Sequence, residues 1–255
     1  MRRTIDYAER GQVTVVRQSS QLALLATEEL AVAYLRAANR PQPTLIALSG
    51  GSTPKAMFEI MKDPRFWRRI DWSKVHLLWG DERWVPIEDE QSNAGEALRG
   101  FIEEMKLSEE HYHPWPTHLE DPNAAAEAYE MTIRILSGAM EGTPVLDLVF
   151  LGMGDDGHTA SLFPGTDAVH EQERLAIAHH IPKLDTTRLT LTPPILNAAR
   201  EVVFLVSGAG KAEMLHKVLD GPIDVDAMPS QAIRPTTGQL RWLVDEAAAA
   251  QLERE

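Results

Sequence analysis

The sequence predicts an α/β fold, with a Rossmann-like open, mostly parallel sheet carrying helices on both faces. Short, nearly continuous apolar runs recur at Thr44–Leu48, Val75–Trp79, Asp147–Leu151 and Val202–Val206. Runs of about five such residues mark strands buried on both sides. Helix-like stretches separate them, over Gln21–Ala38, Pro54–Met61, Asn93–Lys106, Pro122–Leu136 and Lys211–Leu219. Strands that alternate with helices build βαβ units and a parallel sheet. Finally, every apolar run leads into glycine or a charged cluster. Ligands of an open parallel sheet bind beyond the carboxyl ends of its strands, so these clusters are expected to meet along one edge.

At the start of the chain, MRRTIDYAERGQ has two arginines with no apolar stretch behind them. It is expected to be neither a signal peptide nor an anchor. After Thr44–Leu48 comes Ser49-Gly50-Gly51-Ser52-Thr53-Pro54-Lys55. Glycines allow a tight turn and close approach of a ligand. Thr53 suits an N-cap and Pro54 a first helical position. A helix N-terminus set up in this way favours an anion such as phosphate; a βα turn that binds nothing is an equal alternative. The spacing is not that of a Walker loop.

After Val75–Trp79 comes Gly80-Asp81-Glu82-Arg83-Trp84-Val85-Pro86. Its carboxylates and guanidinium suit sugar hydroxyls and a carboxylate or oxyanion. Charge runs are usually solvated turns, but the apolar flanks argue against full exposure, and Trp79 and Trp84 are expected near the site.

The third cluster runs from Gly152 to Gly165 (GMGDDGHTASLFPG). Its formal G-x-G-x-x-G is a poor dinucleotide site, because Pro164-Gly165 cuts the following helix short and no acidic ribose ligand follows at the expected distance. His158 is the stronger feature, since imidazole exchanges protons near neutral pH. Asp156, or another acid across the cleft, could orient it. Asp156 and His158 lack a third metal ligand at recognisable spacing. Ser52 and Ser161 lack the G-x-S-x-G context of a serine nucleophile. His111, His113, His118, His179 and His180 show no convergent pattern and read as surface or structural.

Arg188-Leu189-Thr190-Leu191-Thr192 alternates like a strand that could carry Arg188 to the same edge, and arginine suits bidentate phosphate contact. After Val202–Val206, Ser207-Gly208-Ala209-Gly210-Lys211 opens a helix, and the Lys211 ammonium could neutralise phosphate there; a surface lysine is the common alternative. Ala247–Ala250 reads as the end of an exposed C-terminal helix, on alanine propensity.

Composition narrows the classes. The 255 residues are 44% hydrophobic and 25% charged, ordinary for a globular chain with a sizeable core. No apolar run approaches the roughly 20 residues of a membrane span. The absence of cysteine removes disulfides, thiolate nucleophiles and cysteine-ligated zinc, and fits a cytoplasmic location. A net charge of −13 opposes binding to nucleic acid or anionic membranes, while a pocket can still be locally positive.

The chain resembles the 6-phosphogluconolactonase branch of the glucosamine-6-phosphate isomerase/6-phosphogluconolactonase family. The resemblance rests on Ser49 to Pro54, Asp81-Glu82-Arg83 with Ser92-Asn93, the run from Gly152 to Pro164, Arg188-Leu189-Thr190, and Ser207-Gly208 with Lys211-Ala212. Deaminases of the family carry a glutamate five residues after the motif histidine; here that position is Phe163.

The resemblance implies one domain over residues 1–255 and hydrolysis of 6-phospho-D-glucono-1,5-lactone, with no metal or organic cofactor. It assigns His158 as general base, with Asp156 and Arg83 as catalytic partners and Arg83 or backbone N–H groups at the oxyanion. Phosphate is expected on Gly50, Gly51 and Ser52, clamped by Arg188 and Lys211, with Asp81 on a sugar hydroxyl or the water. The expected partner is the small-molecule lactone, acted on by a monomer. An amino-sugar phosphate deaminase and a non-catalytic sugar-phosphate sensor are the alternatives.

Overall fold

The computed structural model describes residues 2–254. Its main sheet has seven strands in the order β1-β2-β10-β9-β6-β3-β4: β1 (Arg3–Asp6), β2 (Gln12–Val16), β3 (Thr44–Leu48), β4 (Val75–Trp79), β6 (Leu148–Gly152), β9 (Glu201–Val206) and β10 (Gln239–Asp245). All neighbours pair in parallel except β1 with β2. Every residue of β3 and β9 is buried. Successive side chains of a strand point to opposite faces, so both faces are covered, as the unbroken apolar runs predict.

The helices are α1 (Ser19–Ala37), α2 (Ser52–Met61), α3 (Pro64–Trp67), α4 (Asn93–Ala97), α5 (Glu103–Met105), α6 (Pro122–Ser137), α7 (Pro193–Ala198) and α8 (Ala212–Leu219). Between α4 and α5 the helix continues through a π-turn at Leu98–Ile102. Helix α6 starts on Asp121, whose carboxylate accepts from the Asn123 N–H, and ends on left-handed Gly138, the cap pattern expected at each end.

The second sheet is absent from the sequence reading, apart from the strand around Arg188. It is antiparallel, in the order β5-β8-β7, made of β5 (Asp81–Arg83), β7 (Ala176–Ile181) and β8 (Thr186–Leu191). Asp81-Glu82-Arg83 is therefore a short strand rather than a loop. Gly80 joins the sheets: its N–H donates to the Leu48 carbonyl, and its own carbonyl accepts from the Leu191 N–H.

The expected C-terminal helix does not form. Residues 246–251 are turns, with Ala248 and Ala249 buried. The Asp245 carboxylate accepts from the Ala248 N–H and also from Ser207 Oγ and the Gly208 N–H. Burial and these bonds override alanine's helix propensity. No described helix is long and apolar enough to cross a membrane.

Candidate active site

The polar clusters after β3, β4, β6 and β9 do converge. Two cavities meet there. One, of about 230 Å³, is lined by Ser49, Gly50, Gly51, Asn93, Gly154 and Lys211 among others. Its neighbour, of about 520 Å³, is lined by Asp155, Asp156, Ser161, Phe163, Lys183, Leu184 and Arg188. Asp81, Arg83, His158 and Ala160 line both. A larger cleft of about 730 Å³ lies behind the second cavity, beyond Phe163 and Asp156. It contains neither His158 nor the glycine turn, so the site is placed at the paired cavities.

His158 sits on the shared border. Its Nδ1 lies 2.6 Å from Asp156 Oδ1, which leaves Nε2 as the other ring nitrogen. The loop is held tightly: the Gly154 N–H donates to the His158 carbonyl at 2.8 Å. Gly154 is required by contact, because a Cβ there would come within 2.0 Å of His158 Nδ1. Phe163 stacks on the imidazole, with centroids 4.2 Å apart. Burial pushes the Asp156 carboxyl up, but hydrogen bonds from His158 and Lys183 outweigh it and bring the group down to about 2.

On β5 the three side chains divide their work. Asp81 is held by Ser161 Oγ, which donates to Oδ2 at 2.7 Å, while Asn93 Nδ2 donates to the Asp81 carbonyl at 3.0 Å. Buried Glu82 accepts from the Arg83, Asn93 and Ala94 N–H groups and from Ser92 Oγ. It ties the start of α4 to β5, and burial raises its pKa against the pull of those donors. Arg83 donates to the Gln91 carbonyl and is paired in register with Arg188 across β5 and β8. Burial first, and then the neighbouring Arg83 charge, lower the Arg188 pKa against the opposing pull of Asp81 and Glu82.

The glycine turn opens α2 two residues earlier than a Thr53 N-cap would allow. Gly51, at φ 110°, is the N-cap and Ser52 the first helical residue. The amides of the first turn have no intrahelical partners. Beside it, Ser49 Oγ and Asn93 Oδ1 are buried without a hydrogen-bond partner, in the wall of the smaller cavity. Buried polar atoms are nearly always paired, so these two leave hydrogen-bonding capacity unused beside the glycine turn.

The expected clamp is divided. Gly50, Gly51 and Lys211 line the smaller cavity, Arg188 lines the larger, and Ser52 lines neither. Lys211 Nζ lies 2.5 Å from exposed Asp155 Oδ1. Trp79 does not line the site either; it is wholly buried, with its backbone N–H and carbonyl both bonded to Tyr129 Oη. Trp84 packs on the core instead.

Several residues escaped the sequence reading. Ser161, set aside as a nucleophile, orients Asp81. His179, expected to be surface or structural, is structural: half-buried, it bonds the Ser161 carbonyl at 2.8 Å. Lys183 and Leu184, in the Pro182-Lys183-Leu184-Asp185 turn between β7 and β8, reach the cleft, and nothing but the turn residues Pro and Asp hinted at it.

His111 and His113 converge with His76. His76 Nδ1 and His113 Nε2 are 2.7 Å apart, and the His111 ring packs edge-on to His76. Among the described residues no group of three or more His, Asp or Glu is arranged to hold a metal ion.

Comparison with known proteins gives a consistent result. The profile of the family described as glucosamine-6-phosphate isomerases/6-phosphogluconolactonase matches residues 17–242. A 6-phosphogluconolactonase of Synechocystis sp. is 40% identical over 216 residues, covering 84% of this chain and 87% of the relative. One from Nostoc sp. is 39% identical over 242 residues, covering 94% and 98%. The structure of 6-phosphogluconolactonase from Trypanosoma cruzi superposes with a TM-score of 0.85 at 26% identity, covering 98% of this chain and 99% of that one.

Proposed function

The chain belongs to the glucosamine-6-phosphate isomerase/6-phosphogluconolactonase family, and from that premise we propose that it hydrolyses 6-phospho-D-glucono-1,5-lactone to 6-phospho-D-gluconate, the second step of the oxidative pentose phosphate pathway. The observation that carries the chemistry is the His158–Asp156 pair at the border of two cavities. Asp156 Oδ1 accepts from Nδ1–H and so fixes the tautomer in which Nε2 is the free base. Ionised down to about pH 2, it also stabilises the imidazolium that forms.

A water between Nε2 and the lactone carbonyl gives its proton to Nε2 as its oxygen bonds to C1. The carbonyl electrons move to an oxyanion, for which Arg83, lining both cavities, and nearby backbone N–H groups are the candidate donors. Collapse breaks the bond from C1 to the ring oxygen. His158 returns its proton to that oxygen, giving a hydroxyl, and the new carboxylic acid ionises to solvent. An ester-like carbonyl needs no metal or organic cofactor for this. A positioned base of this kind contributes about 10²–10⁴-fold.

The phosphate is assigned to the smaller cavity. There the Gly50-Gly51 turn and first-turn amides of α2 offer donors, and Lys211 exchanges exposed Asp155 for the phosphate. Asp81, held by Ser161 and Asn93, faces a sugar hydroxyl or the attacking water. The reading takes the chain as a cytoplasmic monomer acting on a small molecule. Phe163 stacked on His158 disfavours the deaminase alternative, which needs a carboxylate at that place.

Hydrolysis assays with His158→Gln, corrected for spontaneous lactone opening, test the reading. The expected result is loss of turnover with 6-phosphogluconate binding retained. Near-normal hydrolysis by this variant removes His158 from the mechanism, and ammonia release from glucosamine 6-phosphate without lactonase activity overturns the substrate assignment.

A further inference from the structure

The Asp156 carboxylate has two oxygens and only one meets the imidazole. The other, Oδ2, accepts a hydrogen bond from Lys183 Nζ at 3.0 Å. Lys183 comes from the turn at the tip of the β7–β8 hairpin, at Pro182–Leu184. Elsewhere this hairpin grips the catalytic segment near Ser161, through His179 to the Ser161 carbonyl and Thr190 Oγ1 to the Ser161 N–H. Among the hydrogen bonds of the described residues, Lys183 makes the hairpin's one link to Asp156. Both Lys183 and Leu184 line the same cavity as His158.

We propose that Lys183 is a positioning residue for the general base: its ammonium pins the outer oxygen of Asp156, so that the inner oxygen holds Nδ1 and Nε2 stays presented to the cleft. The inference rests on His158 being the base. It also has an electrostatic side. A carboxylate beside imidazole favours the imidazolium, whereas a cation on the same carboxylate withholds part of that charge and favours the neutral, proton-accepting ring.

The other charges facing His158 are Asp81 and Arg83 from β5, Asp155 from its own loop, Arg188 from β8 and Lys211 from the start of α8. Lys183 differs from these cations in touching the orienting carboxylate itself. It is largely exposed, with 70% of its side chain accessible, so the effect is modest and falls with salt.

The test is a histidine NMR titration of the free enzyme, with the His158 signal identified by its loss in His158→Gln. Lys183→Met is expected to raise the His158 midpoint by about 0.3–0.5 of a pH unit, given the weakness of exposed ion pairs. It should lower kcat about 3–10-fold at neutral pH, a small part of the full contribution of a positioned base. Lys183→Arg should restore both. In the Asp156→Asn background the Lys183 substitution should move neither.

An unchanged midpoint and kcat in Lys183→Met overturns the proposal. So does a raised KM with an unmoved midpoint, which would make Lys183 a substrate contact. A shift that persists without the Asp156 carboxylate overturns the route through Asp156. Failure of the underlying reading is separable: His158→Gln would then hydrolyse the lactone normally, whatever the titrations show.

Discussion

Lys211 and Arg188 occupy different cavities, so their contributions to binding can be told apart. Lys211→Ala should raise KM by about 10–100-fold with little change in kcat, as expected for a charge-assisted contact made equally in ground and transition states. Arg188→Ala should raise it less. The reverse ranking in steady-state assays would move the phosphate into the larger cavity, beside the Arg83–Arg188 pair. At this scale the sequence was informative where a residue type carries its own chemistry. His158, Asp156 and the glycine turn stand out because of imidazole basicity, a carboxylate two residues away and backbone freedom. Ser161 and Lys183 do not, since a serine that orients Asp81 and a lysine that holds Asp156 look in sequence like any other serine and lysine.

The Glu109–His113 segment shows how an element can conceal a titrating cluster. Tyr112 bridges to Leu77, and the His113 N–H donates to the Leu77 carbonyl. This covers the outer side of β4, an edge strand of the main sheet. The segment also brings His111 and His113 against His76. Burial, with the neighbouring His76 and His111, holds the His113 pKa down at about 4; burial and His111 also lower His76.

A histidine whose folded pKa is depressed contributes stability that is present above its unfolded value, near 6.5, and lost as pH falls through the folded value. Between about pH 6.5 and 4 the protein should therefore lose about 1–2 kcal/mol, allowing for solvent screening at a partly exposed site. Chemical denaturation at several pH values measures this, and His113→Gln should flatten the slope. A variant as acid-sensitive as the parent would place the effect elsewhere. The spacing of these histidines gave no warning, because the third comes from a strand far back in the chain.

Across the whole molecule, distant segments are joined by buried charge. Arg241 on β10 donates to Glu29 on α1 and Glu201 on β9, and Arg36 also reaches Glu201. Glu29 and Glu201 are almost fully buried. Removing the central cation strands buried Glu29 and leaves Glu201 with Arg36 alone, so Arg241→Met should cost about 3–5 kcal/mol. Replacing Arg241, Glu29 and Glu201 together with apolar residues of similar volume should cost far less, because no buried charge is then left without a partner and exposed Arg36 keeps its solvent. Urea unfolding of both variants checks the contrast, and equal losses would show that the network works mainly by packing.

The main parallel sheet was legible from the chain alone because burial on both faces leaves a local trace, a run of apolar residues with glycine at its end. Placement of the loops at the carboxyl edge followed from that architecture. Strands β1, β2, β5, β7 and β10 left weaker traces, being short, half-exposed or mixed with charge, and β5 bonds across more than a hundred residues to β8. Only the folded chain decided that Gly80 would turn β4 into a second sheet, that Asp156 would be shared by His158 and Lys183, and that the two expected phosphate cations would stand in separate cavities. Periodicity is a property of neighbours in sequence and can be read there, whereas the partner of a charge is chosen by contacts that exist only once distant segments have packed.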